Sequence, residues 1–433
     1  MRSHPLYRLM AGLALIGSSA ALAQEPAASS LWDLAALEKA PAHRWIDQSR
    51  PIHSLLYTGE TYQGKPTEVF AYFASPATLA GGGVKPADRS YPAVVLIHGG
   101  GGTAFAEWVH LWARRGYAAI AMDLSGRRPP EVEYDPQTGA FVRHLAHDQK
   151  TRTRLENGGP EQGHPEKFDS IGGDHRDDWP WHAVSSVIRA HSLIRSFPEV
   201  DPDRTAVTGI SWGGYTTCLV ASVDTRFRAA VPVYGCGFLH EGESVQKKSI
   251  DALDPAHRAE WVRRYDPSSH LVRCRVPILF VNGTHDIHYP LDSYLRSYAL
   301  VPGEKSIRIE PRMAHGHPPG WKPEEIGLFI DSHCRDGKPL PRPGRPAIAA
   351  DGQISVAVES PVALKSTTLH HSTADGLRSG REWLSTPATI NGLTVTAPAP
   401  PSGTNTWFLT ITDERGALVS TEVVFSPPLP SAP

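Results

Sequence analysis

Ala93-Val94-Val95-Leu96-Ile97 is a short, unbroken apolar run ending at His98, the pattern of a strand buried on both faces. Phe105, Trp108, Val109 and Trp112 then recur at helical spacing across Phe105–Arg115, and Gly116 stops the helix. Tyr117–Leu124 predicts another buried strand. Trp181–Phe197 aligns Val184, Ile188, His191 and Ile194 on one helix face, with Pro198 beyond its end. The alternation continues with strands at Thr205–Thr208, Ala229–Val233, Ile278–Asn282 and Ser306–Glu310, and helices at Trp212–Val223 and Glu324–Cys334. Ahead of it lie a short helix within Ser29–Leu37 and strands at Ile52–Tyr57 and Val69–Phe73. Repeated strand–helix alternation predicts an α/β fold, a doubly wound and mostly parallel sheet with helices on both faces.

Two segments break this rhythm. Residues 126–180 form a long polar insertion holding His144, His147, His164 and His175. It follows a strand, so it is expected at the carboxyl edge of the sheet, lining the cleft where such folds bind ligands. Lys338–Pro346 is a proline-rich linker. Beyond it the period changes to two, through Ile354, Val356 and Val358 and again through Trp407–Ile411, which predicts a β-sandwich over 347–433. The expected organisation is a catalytic domain at 24–337, a linker at 338–346 and the sandwich.

The first 23 residues read differently. Arg2 and Arg8 precede an apolar run from Leu9 to Ile16, and Ala21-Leu22-Ala23 ends it in a small-residue cleavage pattern. That run is shorter than the roughly 20 residues a bilayer span needs, so a signal peptide and export to the periplasm or beyond are expected. Charge narrows the function classes. Lysine plus arginine (43) nearly balances aspartate plus glutamate (45), so the electrostatic footprint of a nucleic-acid binder is missing. Four cysteines are too few for a disulfide scaffold. Cys274 and Cys334 are both expected at the sheet edge opposite the active one, where an oxidising compartment would allow them to pair.

The chemistry concentrates after strand ends. Gly209-Ile210-Ser211-Trp212-Gly213 matches G-x-S-x-G between a predicted strand and a predicted helix, the context in which that motif presents a serine nucleophile. Small residues allow the tight turn, and the Trp212 N–H at the helix start is placed where a tetrahedral oxyanion forms. A serine needs a base, and the base an orienting carboxylate. Asp286 follows the strand Ile278–Asn282. His315 follows the strand Ser306–Glu310, with His317 as its competitor and His285 and His288 as more ordinary loop histidines. His98-Gly99-Gly100-Gly101-Gly102 follows a buried strand without the lysine of a phosphate-binding loop, so Gly100 and Gly101 are assigned with Trp212 to an oxyanion hole. Trp179 and Trp181 offer flat faces to a sugar or act as packing anchors. His164, Asp169, Asp174 and His175 are metal-ligand types without a metal-site spacing, so no metal is assigned.

Taken together, Gly209–Gly213, His98–Gly102, Asp286 and His315 resemble the α/β-hydrolase superfamily. The nearest branch is that of dienelactone hydrolases, prolyl-oligopeptidase catalytic domains and exported bacterial acetyl xylan esterases. Tyr265-Asp266-Pro267-Ser268-Ser269 and Val276–Thr284 are similar to the acetyl xylan esterase-like members. The resemblance spans about Ser90–Arg335, and the C-terminal sandwich more weakly resembles appended Ig-like modules. Nothing before Ser90 is long enough for a β-propeller, which argues against a gated oligopeptidase. The resemblance implies a serine carboxylic-ester hydrolase acting on an acylated small molecule or oligosaccharide without a cofactor. The alternatives are a peptidase or amidase of the prolyl-oligopeptidase branch, and a non-catalytic carbohydrate-binding protein on a hydrolase scaffold.

Overall fold

The computed structural model describes residues 31–81, 86–144 and 146–430, so the expected signal peptide lies outside the described residues. A nine-stranded sheet runs through the centre: β1 (His43–Asp47), β2 (His53–Thr58), β3 (Glu68–Ala74), β4 (Tyr91–Ile97), β5 (Ala118–Met122), β6 (Val200–Ile210), β7 (Ala229–Val233), β8 (Ile278–Gly283) and β9 (Lys305–Glu310), in the spatial order β1-β2-β3-β5-β4-β6-β7-β8-β9. The first three strands pair antiparallel, and the six from β5 to β9 are parallel. Val94, Val95, Leu96 and Ile97 are all buried, as an unbroken apolar run in a two-sided sheet requires.

Helices α1 (Ala106–Arg114), α2 (Trp179–Arg195), α3 (Trp212–Val223), α4 (Leu291–Leu300) and α5 (Glu324–Cys334) pack around this sheet. α2 starts at Trp179, two residues earlier than periodicity suggests. Asp178 precedes it in extended conformation and Pro180 stands in the first turn, where a missing N–H costs nothing. β1 and α4 are further elements that the sequence pattern does not mark, because their apolar positions are few or interrupted by polar ones.

The parallel strands all end at one edge, and the turns after β4, β6, β8 and β9 carry the glycine loop, Ser211, Asp286 and His315. Within 126–180 the chain folds into short paired strands and single turns rather than an open loop, among them a hairpin of Val132–Tyr134 with Phe141–His144.

Beyond the catalytic-type sheet, two five-stranded antiparallel sheets form the C-terminal β-sandwich. One centres on Ile354–Glu359 and Thr394–Ala397, the other on Leu364–Ser372 and Thr406–Asp413. Their alternating residues Ile354, Val356, Val358, Leu409 and Ile411 are buried. The proline-rich segment is docked rather than free: Arg342 and Pro343 pair with Glu359 and Val358, and Arg415 donates to the carbonyls of Lys338 and Pro339 at 2.7 and 2.8 Å.

The four cysteines are all free and buried, which corrects the expected Cys274–Cys334 pairing. Cys274 follows the turn Leu271–Arg273 that packs on α3. Cys334 ends α5, which belongs with the end of α1 through Asp331 bonds to Arg115 and Tyr117. Strand direction places both residues toward one sheet edge, but the two thiols belong to different helical layers.

Candidate active site

Ser211 sits between β6 and α3 with φ 59° and ψ −117°, a strained conformation that lifts its hydroxyl out of the turn. The two motif glycines are there for space. A Cβ on Gly209 would lie 2.2 Å from the Gly213 carbonyl oxygen, and one on Gly213 would lie 2.0 Å from that of Ile97. The turn therefore closes only when both positions lack a side chain.

His315 bridges the other two groups. Its Nδ1 lies 2.7 Å from Asp286 Oδ2, and its Nε2 lies 3.0 Å from Ser211 Oγ. A carboxylate only accepts, so Nδ1 carries the proton and Nε2 is left to accept from the serine hydroxyl. Asp286 is buried, and its second oxygen accepts the N–H groups of His288 and Tyr289 at 2.8 and 2.9 Å. Those bonds fix the carboxylate while leaving one oxygen to the imidazole. The Tyr234 ring stacks on His315 with centroids 4.4 Å apart, and its hydroxyl donates to the Ala314 carbonyl at 2.6 Å. The imidazole is thus oriented by an edge and a face.

His317, the competing histidine, is used elsewhere. Its Nε2 accepts the Gly99 N–H at 2.9 Å, and its ring packs against Phe105 with centroids 4.7 Å apart. Burial, with His98, His147, Arg152 and His315 beside it, pushes its pKa down to about 3, so it stays neutral and remains an acceptor. His285 bonds the Thr284 hydroxyl. The His288 ring lies beside His315, with centroids 4.7 Å apart.

The glycine loop is a turn closed by Gly102 N–H donating to the Gly99 carbonyl at 3.0 Å. Gly101 takes φ +64° at its third position, which a side chain would oppose. His98 Nδ1 also bonds the Gly99 carbonyl, at 2.7 Å, while its Nε2 accepts the Leu124 N–H at 2.8 Å. Burial depresses the His98 pKa, in keeping with a neutral ring that donates from one nitrogen and accepts at the other. Because a trans peptide points its C=O and N–H in opposite directions, holding the Gly99 carbonyl on one side turns the Gly100 N–H to the other. Gly99 packs closest to Ser211, and Gly100 abuts the Trp212 ring.

Trp179 and Trp181 do not offer faces to a ligand. Trp179 is fully buried, its indole donates to the Leu124 carbonyl at 2.6 Å, and it packs edge-on against Trp212. Trp181 is also buried and donates to the Leu31 carbonyl at 2.9 Å. As first-turn residues of α2 they face inward, which corrects their assignment as sugar-binding surfaces.

Other groups near Ser211 carry no motif. Lys167, from the 126–180 segment, holds its ammonium 4.7 Å from the Trp212 ring centroid, and burial pushes its pKa down to about 8. Tyr289 is fully buried, its hydroxyl has no hydrogen-bond partner among the described residues, and burial raises its pKa. Among the described residues there is no cluster of three metal-ligating side chains, and no helix is long and apolar enough to cross a membrane.

A mostly parallel sheet with a strained serine at a strand-to-helix turn defines an α/β hydrolase. The acetyl xylan esterase family model matches residues 70–270, and that of the PhoPQ-activated pathogenicity-related proteins matches residues 234–378. Among solved structures the chain is similar to an acetyl xylan esterase from Paenibacillus sp. R4, at 22% identity over 69% of this chain and 92% of that one, with a TM-score of 0.51. It is also similar to acetyl xylan esterase 1 from Thermoanaerobacterium sp. JW/SL YS485, at 18% identity over 69% and 91%, with a TM-score of 0.49. A Pyrococcus horikoshii acylaminoacyl peptidase matches at 17% identity over 71% of this chain and 44% of that one, with a TM-score of 0.45. The chain has the α/β-hydrolase fold and resembles the acetyl xylan esterases within it.

Proposed function

We propose that this protein is an exported serine esterase that removes acyl groups, acetyl foremost, from carbohydrate. The observation that carries the reading is the bridge made by His315, 3.0 Å from Ser211 Oγ on one side and 2.7 Å from Asp286 on the other. The match of the acetyl xylan esterase family model over residues 70–270 supports the ester class and the carbohydrate substrate.

In this mechanism Ser211 Oγ attacks the ester carbonyl as its proton passes to His315 Nε2. The Asp286 carboxylate stabilises the imidazolium so formed. Negative charge collecting on the carbonyl oxygen is met by the N–H groups of Trp212 and the glycine loop, Gly100 foremost and Gly101 beside it. His315 then gives its proton to the departing sugar oxygen. Water, activated by the same imidazole, releases the acid from the acyl-enzyme.

The test is acetate release from acetylated xylo-oligosaccharides by the mature protein and by Ser211→Ala. Release that vanishes in the variant is expected. No release, with a proline anilide cleaved instead, would move the protein to the peptidases. Export is tested by N-terminal sequencing of protein recovered outside the cytoplasm, which should begin at Gln24.

A further inference from the structure

The glycine loop has to hold an N–H group still, yet four consecutive glycines are the least suited residues for doing so. Something outside the loop must supply the rigidity. Arg152, from the 126–180 segment, is buried, and all of its hydrogen bonds go to main-chain carbonyls. Its Nη1 donates to Gly101 at 2.8 Å and to Gly102 at 2.5 Å, while Nε and Nη2 donate to Ala146 at 3.0 and 2.6 Å. No carboxylate lies within ion-pairing distance of it among the described residues, and only at longer range do the buried Asp123 and, more weakly, Asp148 favour its charge.

Removing a guanidinium from water without a paired anion is costly, and these bonds only partly offset the loss. Solvent and surface charge do not explain why an arginine stands there, whereas the shape of the loop does. From the other side His317 accepts the Gly99 N–H, and His98 bonds the Gly99 carbonyl. The turn is gripped at Gly99 by two histidines and at Gly101 and Gly102 by one arginine.

We propose that Arg152 is a positioning residue for ester cleavage, holding the glycine turn together with His317 so that the Gly100 N–H stays aimed at the developing oxyanion. This rests on the serine-hydrolase reading given above and extends it to residues that no motif marks. It also gives the 126–180 segment a catalytic consequence: a residue inserted between two strands completes a loop that follows a different strand.

The experiment compares the second-order rate at which a fluorophosphonate labels Ser211 in wild type, Arg152→Ala, Arg152→Lys, His317→Gln and His317→Phe, all as the full chain. Phosphonylation places developing charge on a phosphoryl oxygen, a counterpart of the ester oxyanion, without requiring any particular ester or sugar. Arg152→Ala is expected to label at least about 10-fold more slowly, approaching the ~100-fold of a lost oxyanion donor. Millimolar guanidinium ion should restore part of the rate. Ester turnover should fall in kcat with KM little changed. A glutamine oxygen can still accept from Gly99, so His317→Gln should exceed His317→Phe.

Wild-type labelling with an unchanged rate in Arg152→Ala overturns the inference and leaves the hydrolase reading intact. A slow rate that guanidinium does not lift, tracking only a loss of folded protein, also overturns it. Should Arg152→Ala fail to fold, the order of the two His317 variants decides, and equal rates in them count against the proposal. Failure of wild type itself to label would overturn the serine-hydrolase reading and this inference with it.

Discussion

Ser420 of the C-terminal sandwich accepts the backbone N–H of Ile309 in β9 at 3.1 Å, so the sandwich covers the edge strand of the catalytic sheet. An uncovered parallel edge is a template for aggregation. The same contact region holds a buried ion pair: Arg308 Nε lies 3.0 Å from Glu325 Oε2, and Glu325 Oε1 accepts the Leu418 N–H at 2.7 Å. Ending the chain after Gly337 should therefore yield aggregated or poorly folded protein rather than a free catalytic unit, as soluble yield and thermal unfolding would show. Glu325→Ala in the full chain should cost about 3 kcal/mol in urea unfolding, the lower end for a broken buried pair, because Arg308 keeps Glu310 at 3.0 Å. A cost below about 1 kcal/mol would mean that the sandwich is only tethered.

Stability should fall as pH falls through the weakly acidic range. Burial lowers the pKa of His182, His191, His270 and His370 to about 4 and that of His317 to about 3. In the unfolded chain these rings bind protons near the ordinary pKa of ~6.5, so between there and about 4 the unfolded state holds more protons and gains ground. Asp178, whose pKa burial raises, acts in the opposite sense as one group against five. The urea midpoint should drop steadily from pH 7 to pH 5, and His370→Gln should flatten the slope. A midpoint that is level or rising over this window would contradict the burial of these rings.

Much of the fold is legible in sequence because buried parallel strands leave apolar runs, unbroken in Ala93–Ile97 and Ile278–Val281, and every residue of the proposed triad stands just past a strand, although those before Ser211 and His315 carry polar residues. Ser211 is marked further by the glycines its turn demands. Arg152 and His317 are not legible in the same way. The partners of Arg152 are carbonyls, which every residue carries, and in a stretch rich in arginine and aspartate it looks like solvated surface. His317 is separated from His315 by one glycine, and only the approach of β4 and its loop decides which histidine faces Ser211. Trp179 falls outside the predicted helix because proline in a first turn looks like a break, and Trp181, at the predicted helix start, is open to either a packing or a cleft role until its burial is seen.

Trp181 gives a direct test of that last point. With its indole buried and donating to Leu31, Trp181→Phe should cost stability of about 1 kcal/mol for the lost bond, and somewhat more for the lost volume. The KM for an acetylated oligosaccharide should not move. A several-fold rise in KM at unchanged melting temperature would return Trp181 to the substrate cleft.

Gly213→Ala separates a positional glycine from a merely flexible one. An added methyl would stand 2.0 Å from the Ile97 carbonyl and 2.7 Å from that of His98, and both atoms are backbone at the end of β4. Neither can swing aside as a long side chain would, so relief requires β4 and the Ser211 turn to separate. The variant should lose several kcal/mol of stability or fail to fold, and any folded fraction should label slowly with a fluorophosphonate because Ser211 and the glycine loop have been pushed apart. Thermal unfolding and labelling rate should therefore fall together. Near-wild-type values of both would show that the turn has room that this packing denies it.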